Sequence, residues 1–214
     1  MCWNKDISLN TFLFSSFVLC LIIYNNAYTQ YKIDDLNNVY IYIFFMSFIL
    51  MQLIEYFIWI SINNPLYNSI FTALATLLII FQPIASTILI SDKIVKKRLL
   101  QCYLLFIVPL SVYNFDIKRV NSSVTKLNHL QWNTMFSYNY FYDIIVAIIW
   151  LFFFLFPLFY ERLTFALMFG LLTLILTTYN FYKDNTIASM WCWIVNTVMV
   201  YYAAYLLLYL PFFK

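Results

Sequence analysis

Charge is scarce in this chain. Only 10% of its 214 residues are Asp, Glu, Lys or Arg, against ~25% in an ordinary soluble domain. So few charges cannot solvate a globular surface, so most of the surface must face lipid. Glycine occurs once, at Gly170, and proline five times. Close helix contacts in membranes ordinarily use glycine and other small residues, so here Ala, Ser and Thr must make them, with aromatic rings filling the rest. The one histidine, His129, excludes the multi-histidine metal sites of ceramidase-type membrane hydrolases. The four cysteines form no CxxC pair and no zinc-ribbon spacing. The net charge is +3 and the basic residues form no long tract, so nothing points to nucleic acid. No internal repeat or low-complexity segment is evident.

What is abundant is apolar and aromatic: 64% of residues are hydrophobic and 22% are Phe, Trp or Tyr. A helix needs ~20 apolar residues to cross a bilayer. The hydrophobic runs predict helices over 9–24, 39–62, 69–90, 99–115, 141–160, 163–182 and 187–213. The expectation is an all-α polytopic membrane protein, with about seven transmembrane helices in one bundle and a single domain over 1–214. The first run reads as a span rather than a cleaved leader, because Lys5 is offset by Asp6 and no small-x-small site lies near Ala27. The wealth of Ile, Asn, Phe and Tyr suits a bias toward A/T-rich codons.

Orientation follows from basic residues in short loops. Lys5, Lys118, Arg119, Lys126 and Lys183 fall on the amino-terminal side. Lys32, Lys93, Lys96, Lys97, Arg98, Arg162 and Lys214 fall on the other. This bias favours an amino terminus outside and a carboxyl terminus inside. The sequon Asn121-Ser122-Ser123 in the long connection 116–140 agrees. That connection is expected to form a short interfacial helix or a flap over the helix ends, and 120–124 can equally be extended.

Glu55 stands inside the second run. A charge in the bilayer costs ~2.5 kcal/mol or more, so such a residue faces the protein interior. Gln52, Glu55, Tyr56 and Trp59 share one helix face by i+3 and i+4 spacing. Two readings stay open: a ligand, proton or metal site, or a buried acid tied to a Gln or Tyr. Gln82-Pro83 is expected to interrupt the third helix, freeing a carbonyl one turn earlier. Asn180 lies near the end of the sixth helix, and Ser189, Cys192 and Asn196 lie in the first turns of the seventh beside Trp191 and Trp193. At ~1.5 Å per residue, Glu55 lies on the order of 10 Å inside the amino-terminal-side boundary, at a depth like that of Cys192. Cys2, Trp3, His129, Trp132 and Asp143 share that side. Cys2, Glu55, His129 and Cys192 can be read as a metal-binding set, with a Cys2–Cys192 disulfide as the competing reading.

At these residues the chain resembles a family of uncharacterised bacterial membrane proteins also seen in large DNA viruses. The family opens Met-Cys-Phe-Ser, carries Gln-x-x-Glu-Gly-x-x-Trp in its second helix, and has Ser-x-Trp-Cys-Phe near its end. The matching residues are Met1-Cys2-Trp3 with Ser8, Gln52 through Trp59, and Ser189 through Trp193; a histidine of the fourth connection looks like His129. Tyr56 stands where the family has glycine, and Asn4-Lys5-Asp6 replaces small residues. The resemblance implies a seven-helix membrane fold, points to Cys2, Glu55, His129 and Cys192, and implies no activity.

The expected function is binding of a small or lipid-like ligand around Glu55, in the amino-terminal-side half of the bundle, by Gln52, Glu55, Trp59, Gln82, Ser189, Trp191 and Asn196. The alternatives are a metal-dependent intramembrane enzyme, a transporter built on paired broken helices, or a structural membrane component. The lipid bilayer is the one partner implied and no cofactor is identified. The last helix has no mid-helix lysine, which argues against a retinal Schiff base.

Overall fold

The computed structural model describes residues 4–114, 120–133 and 140–213. The elements are α1 Lys5–Tyr28, α2 Val39–Ser61, α3 Pro65–Thr87, α4 Lys93–Asn114, strands β1 Asn121–Val124 and β2 Leu130–Asn133, α5 Tyr140–Tyr160, α6 Thr164–Phe181, α7 Ile187–Val195, α8 Val198–Ala204 and α9 Leu210–Phe213. α8 runs into a π-helical turn, Tyr205–Tyr209, before α9. Among the described residues the architecture is all-α apart from one hairpin.

Side-chain oxygens start the helices. Asn4 accepts from Ile7 N at 2.9 Å, Asn38 from Tyr40 N at 2.9 Å, and Asn64 from Tyr67 N at 3.3 Å. Asp92 accepts from Ile94 N at 2.7 Å. Each satisfies a first-turn N–H that has no partner within its helix. Pro65 adds a fixed φ in the first turn of α3, so α3 starts four residues earlier than its hydrophobic run. α1 likewise runs past the expected stop at Asn25. Asn26 is buried, donates from Nδ2 to Tyr42 Oη at 2.9 Å and accepts from Ile33 N at 2.8 Å. It fastens the α1–α2 connection instead of ending the helix.

Five stretches among the described residues are long and apolar enough to cross a membrane: Lys5–Tyr28, Val39–Ser61, Pro65–Thr87, Thr164–Asp184 and Ile187–Phe212. Ile144–Tyr160 is a shorter apolar helix. α4 opens with Lys93, Lys96, Lys97 and Arg98, which shortens its apolar part. α1 packs on α2, α2 on α3, α3 on α5 and α6 on α7. Phe44, Phe48, Phe154, Trp150 and Trp191 form a connected ring cluster in the core. The single glycine is not a point of close approach: a Cβ on Gly170 would come within 3.9 Å of Leu155 Cδ2, an ordinary van der Waals distance.

Pro83 does not interrupt α3. The carbonyl that its missing N–H leaves over is that of Ile79, and Trp150 Nε1 of α5 donates to it at 2.8 Å. Tyr103 Oη of α4 donates to the adjacent Ile80 carbonyl, also at 2.8 Å. The proline joins three helices. Within the long connection, residues 121–133 form an antiparallel hairpin, with Ser122 opposite Trp132 and Val124 opposite Leu130, so 121–124 takes the extended alternative and not the short helix. Asn128 takes the left-handed conformation in its turn, with φ 59°. Asn68 of α3 covers the outer edge of β1: its Oδ1 accepts from Ser122 N at 2.7 Å and its Nδ2 donates to Ser122 O at 2.9 Å. Ser189 Oγ of α7 donates to Leu130 O at 2.6 Å. The hairpin is thereby clamped across the amino-terminal end of the bundle.

Candidate functional site

Beneath the hairpin lies a cavity of about 370 Å³. α3 gives it Thr76, Ile79 and Gln82; α5 gives Val146, Ala147, Trp150 and Leu151; α6 gives Leu174. Residues 185–189 with Trp191 and Cys192 close one side, and Trp132 of β2 closes the top. The walls are mainly apolar. Two polar groups in them, Trp132 Nε1 and Thr186 Oγ1, are buried and have no hydrogen-bond partner among the described residues. A buried donor or acceptor left unpaired costs ~1–3 kcal/mol. An apolar cavity with a few polar groups turned to one end is the usual form of a small-molecule site. Ala147 in its wall is exposed.

The residues singled out from sequence divide between this cavity and the helix packing behind it. Gln82, Ser189 and Trp191 line the cavity, as does Cys192. Gln52, Glu55, Trp59 and Asn196 do not. Glu55 is fully buried and accepts from Gln52 Nε2 at 2.9 Å. Gln52 Oε1 and Trp59 Nε1 are buried without a hydrogen-bond partner among the described residues. Gln82 and Asn196 both bind backbone. Gln82 Nε2 donates to Ser47 O at 3.4 Å, and Asn196 Nδ2 to Cys192 O at 2.8 Å and Phe48 O at 3.4 Å. Trp191 Nε1 donates to Thr173 Oγ1 at 3.1 Å.

Cys192 is a buried free thiol. Cys2, its expected partner, lies outside the described residues, as does Trp3. His129 pairs with Asp184, Nδ1 to Oδ2 at 3.6 Å, and sets its ring edge-on to Phe181 at 5.2 Å. Burial lowers the His129 pKa from its ordinary value, and the Asp184 carboxylate only partly opposes this. Among the described residues, no group of three or more His, Cys, Asp or Glu side chains is placed to hold a metal ion.

Sequence reasoning missed Thr186 and Trp150 as site residues. Trp150 carried a signal: a proline inside an apolar helix calls for an outside donor, and indole is a donor that an apolar helix can carry. Thr186 carried none, because a threonine before a helix reads as an ordinary cap.

Comparison with family models, with curated proteins and with solved structures finds no match.

Proposed function

We propose that the chain is an integral membrane protein that binds a small amphipathic or lipid-like molecule in the cavity between α3, α5 and α7. Seven rods would span the membrane, with α7, α8 and α9 counted as one, the amino terminus outside and the carboxyl terminus inside. Support for the membrane comes from where the polar side chains lie. Gln52, Glu55, Thr72, Gln82 and Ser86 are buried, while Leu105, Phe159 and Ile175 are 77%, 68% and 64% exposed. Water would reverse that arrangement. The motif resemblance to a seven-helix membrane family supports the same reading.

The observation that carries the ligand reading is an apolar space of about 370 Å³ whose Trp132 and Thr186 offer a donor and a hydroxyl with no partner among the described residues. An acyl chain would lie along Ile79, Val146 and Leu174, with its polar end at Trp132. The test is titration of a fluorescent polyene fatty acid into the full chain in nanodiscs, read by energy transfer from tryptophan. Ala147→Phe and, independently, Ala188→Phe fill the space from two walls. Each should weaken binding tenfold or more without changing the melting temperature by more than a few degrees. Two folded variants that bind as the parent does would refute the site.

A further inference from the structure

A second cavity, of about 500 Å³, opens at the opposite end of the bundle. Its floor is apolar, from Phe44, Phe45, Leu89 and Leu158. Its rim carries Asp35, Glu161, Arg162, Tyr201, Tyr202 and Tyr205. Glu161 is committed within the protein: its carboxylate accepts from Ser91 N and Ser91 Oγ, both at 2.8 Å. The side chains of Asp35 and Arg162 have no hydrogen-bond or ion-pair partner among the described residues. Asp35 lines the same cavity as Tyr201, Tyr202 and Tyr205. Tyr201 and Tyr202 form a ring cluster with Phe165, at centroid distances of 4.7 and 6.0 Å.

The backbone at Arg162 is a separate observation. α5 ends in a Schellman motif, with Leu163 N bonding to Leu158 O at 2.9 Å and Arg162 N to Phe159 O at 3.2 Å. That motif puts Arg162 in the left-handed region, φ 57°, where glycine fits best and asparagine next. The other two described positions with positive φ, Asn128 and Asn185, are both asparagine. This asparagine-rich chain thus holds an arginine where its own habit is asparagine, and it does so on the rim of a cavity.

A guanidinium binds phosphate through two parallel N–H donors. Tyrosine faces beside a carboxylate suit an ammonium. We propose that this cavity holds a zwitterionic phospholipid, with its phosphate at Arg162, its ammonium between Asp35 and the tyrosines, and the start of an acyl chain on the phenylalanine floor. The rim favours a zwitterion over phosphatidylglycerol, because only the zwitterion brings an ammonium to Asp35, while a neutral glycerol headgroup leaves that carboxylate without a counter-charge. The site is separate from the cavity under the hairpin, at the other end of the bundle.

Native mass spectrometry of the full chain in a maltoside detergent tests this, using phosphatidylcholine, phosphatidylethanolamine and phosphatidylglycerol of equal chain length. One zwitterionic lipid should be retained at collision energies that strip phosphatidylglycerol. Arg162→Gly and Asp35→Asn should each lower that retention tenfold or more, while Lys97→Gln, in the separate basic cluster, should leave it unchanged. Arg162→Gly relaxes the strained residue, so it should melt at or above the parent temperature, and lost retention then cannot come from unfolding. Retention of phosphatidylglycerol equal to that of the zwitterions would overturn the proposal, as would full retention by both variants. Displacement of the lipid by millimolar soluble phosphocholine would assign the cavity to a free zwitterion and overturn the lipid occupant.

Discussion

Replacing Asn68 by alanine should loosen the hairpin without unfolding the bundle. Asn68 closes two hydrogen bonds with the Ser122 backbone, at 2.7 and 2.9 Å, and accepts a third from Thr72 Oγ1 at 3.2 Å. Ser122 is buried, so its N–H and C=O would lose their partners in a place water does not readily reach. Each unpaired group costs ~1–3 kcal/mol. The contact between the Thr72 and Ser122 hydroxyls at 2.7 Å remains and keeps the strand near α3. A net cost of ~2–3 kcal/mol is therefore expected for docking the hairpin. Since ~1.4 kcal/mol is a factor of ten, the open hairpin should become on the order of 30- to 100-fold more populated. Hydrogen exchange reads this directly: the Ser122 and Leu130 amides should exchange faster by that factor, while those of α2 and α6 keep their rates. Trypsin should also cut sooner at Lys126 in the hairpin turn. Because β2 carries Trp132 into the cavity wall, affinity for the fatty-acid probe should fall with docking. Unchanged exchange at Ser122 would refute the claim that Asn68 holds the strand edge.

Trp150→Phe keeps the ring contact with Phe154 and removes the donor to the Ile79 carbonyl. It should cost ~1–3 kcal/mol in thermal unfolding, and less in a Pro83→Ala background, where the helix can bond that carbonyl itself; equal costs in both backgrounds would refute the link to Pro83. Burial lowers the His129 pKa, so the unfolded chain takes up the proton first as pH falls below ~6.5. Stability should be full above that pH and drop as it falls toward the folded-state pKa, and His129→Gln should flatten the difference between melts at pH 7.5 and pH 5.5. Glu55→Gln keeps the size of the side chain and its hydrogen-bonding capacity, so melting should shift by less than ~1 kcal/mol if Glu55 only braces Gln52; a folded variant that loses probe or cation binding would place Glu55 in the working site instead.

The sequence shows the helical rods through their hydrophobic runs, and shows that Glu55 is internal through the cost of a buried charge. It does not show which polar side chains reach across to another element. Thr76, Thr87 and Thr177 all donate to carbonyls four residues back in their own helices. Their polarity is absorbed locally. Ser86 reaches Phe154 O at 2.6 Å and Trp193 reaches Thr11 Oγ1 at 3.1 Å. A serine or threonine in an apolar run looks the same in both cases, because the difference lies in which neighbour has a spare carbonyl. Pro83 is the exception, since a proline announces the carbonyl it frees. The extended segment at 121–124 was one of the expected alternatives, but its anchoring was hidden for a related reason: its outer edge is satisfied by Asn68, a side chain on another element and 54 residues away.

The seventh rod shows how such a carbonyl is put to use. Its hydrophobic run is unbroken from Ile187, yet the α-helix stops at Val195 and resumes at Val198. Across the gap the backbone tightens to three-residue spacing: Asn196 N bonds to Trp193 O at 3.1 Å and Thr197 N to Ile194 O at 2.9 Å. The Cys192 carbonyl, which Asn196 N would take in an α-helix, takes the Asn196 side-chain amide at 2.8 Å instead. The same amide reaches Phe48 O on α2 at 3.4 Å. One side chain thus replaces a lost helical bond and ties the break to its neighbour. A short tightened stretch inside a helix often marks a hinge or stored strain. This one lies between the cavity wall at Cys192 and the tyrosine rim at Tyr201 and Tyr202. Both cavities therefore depend on the same rod, and this interruption falls between them.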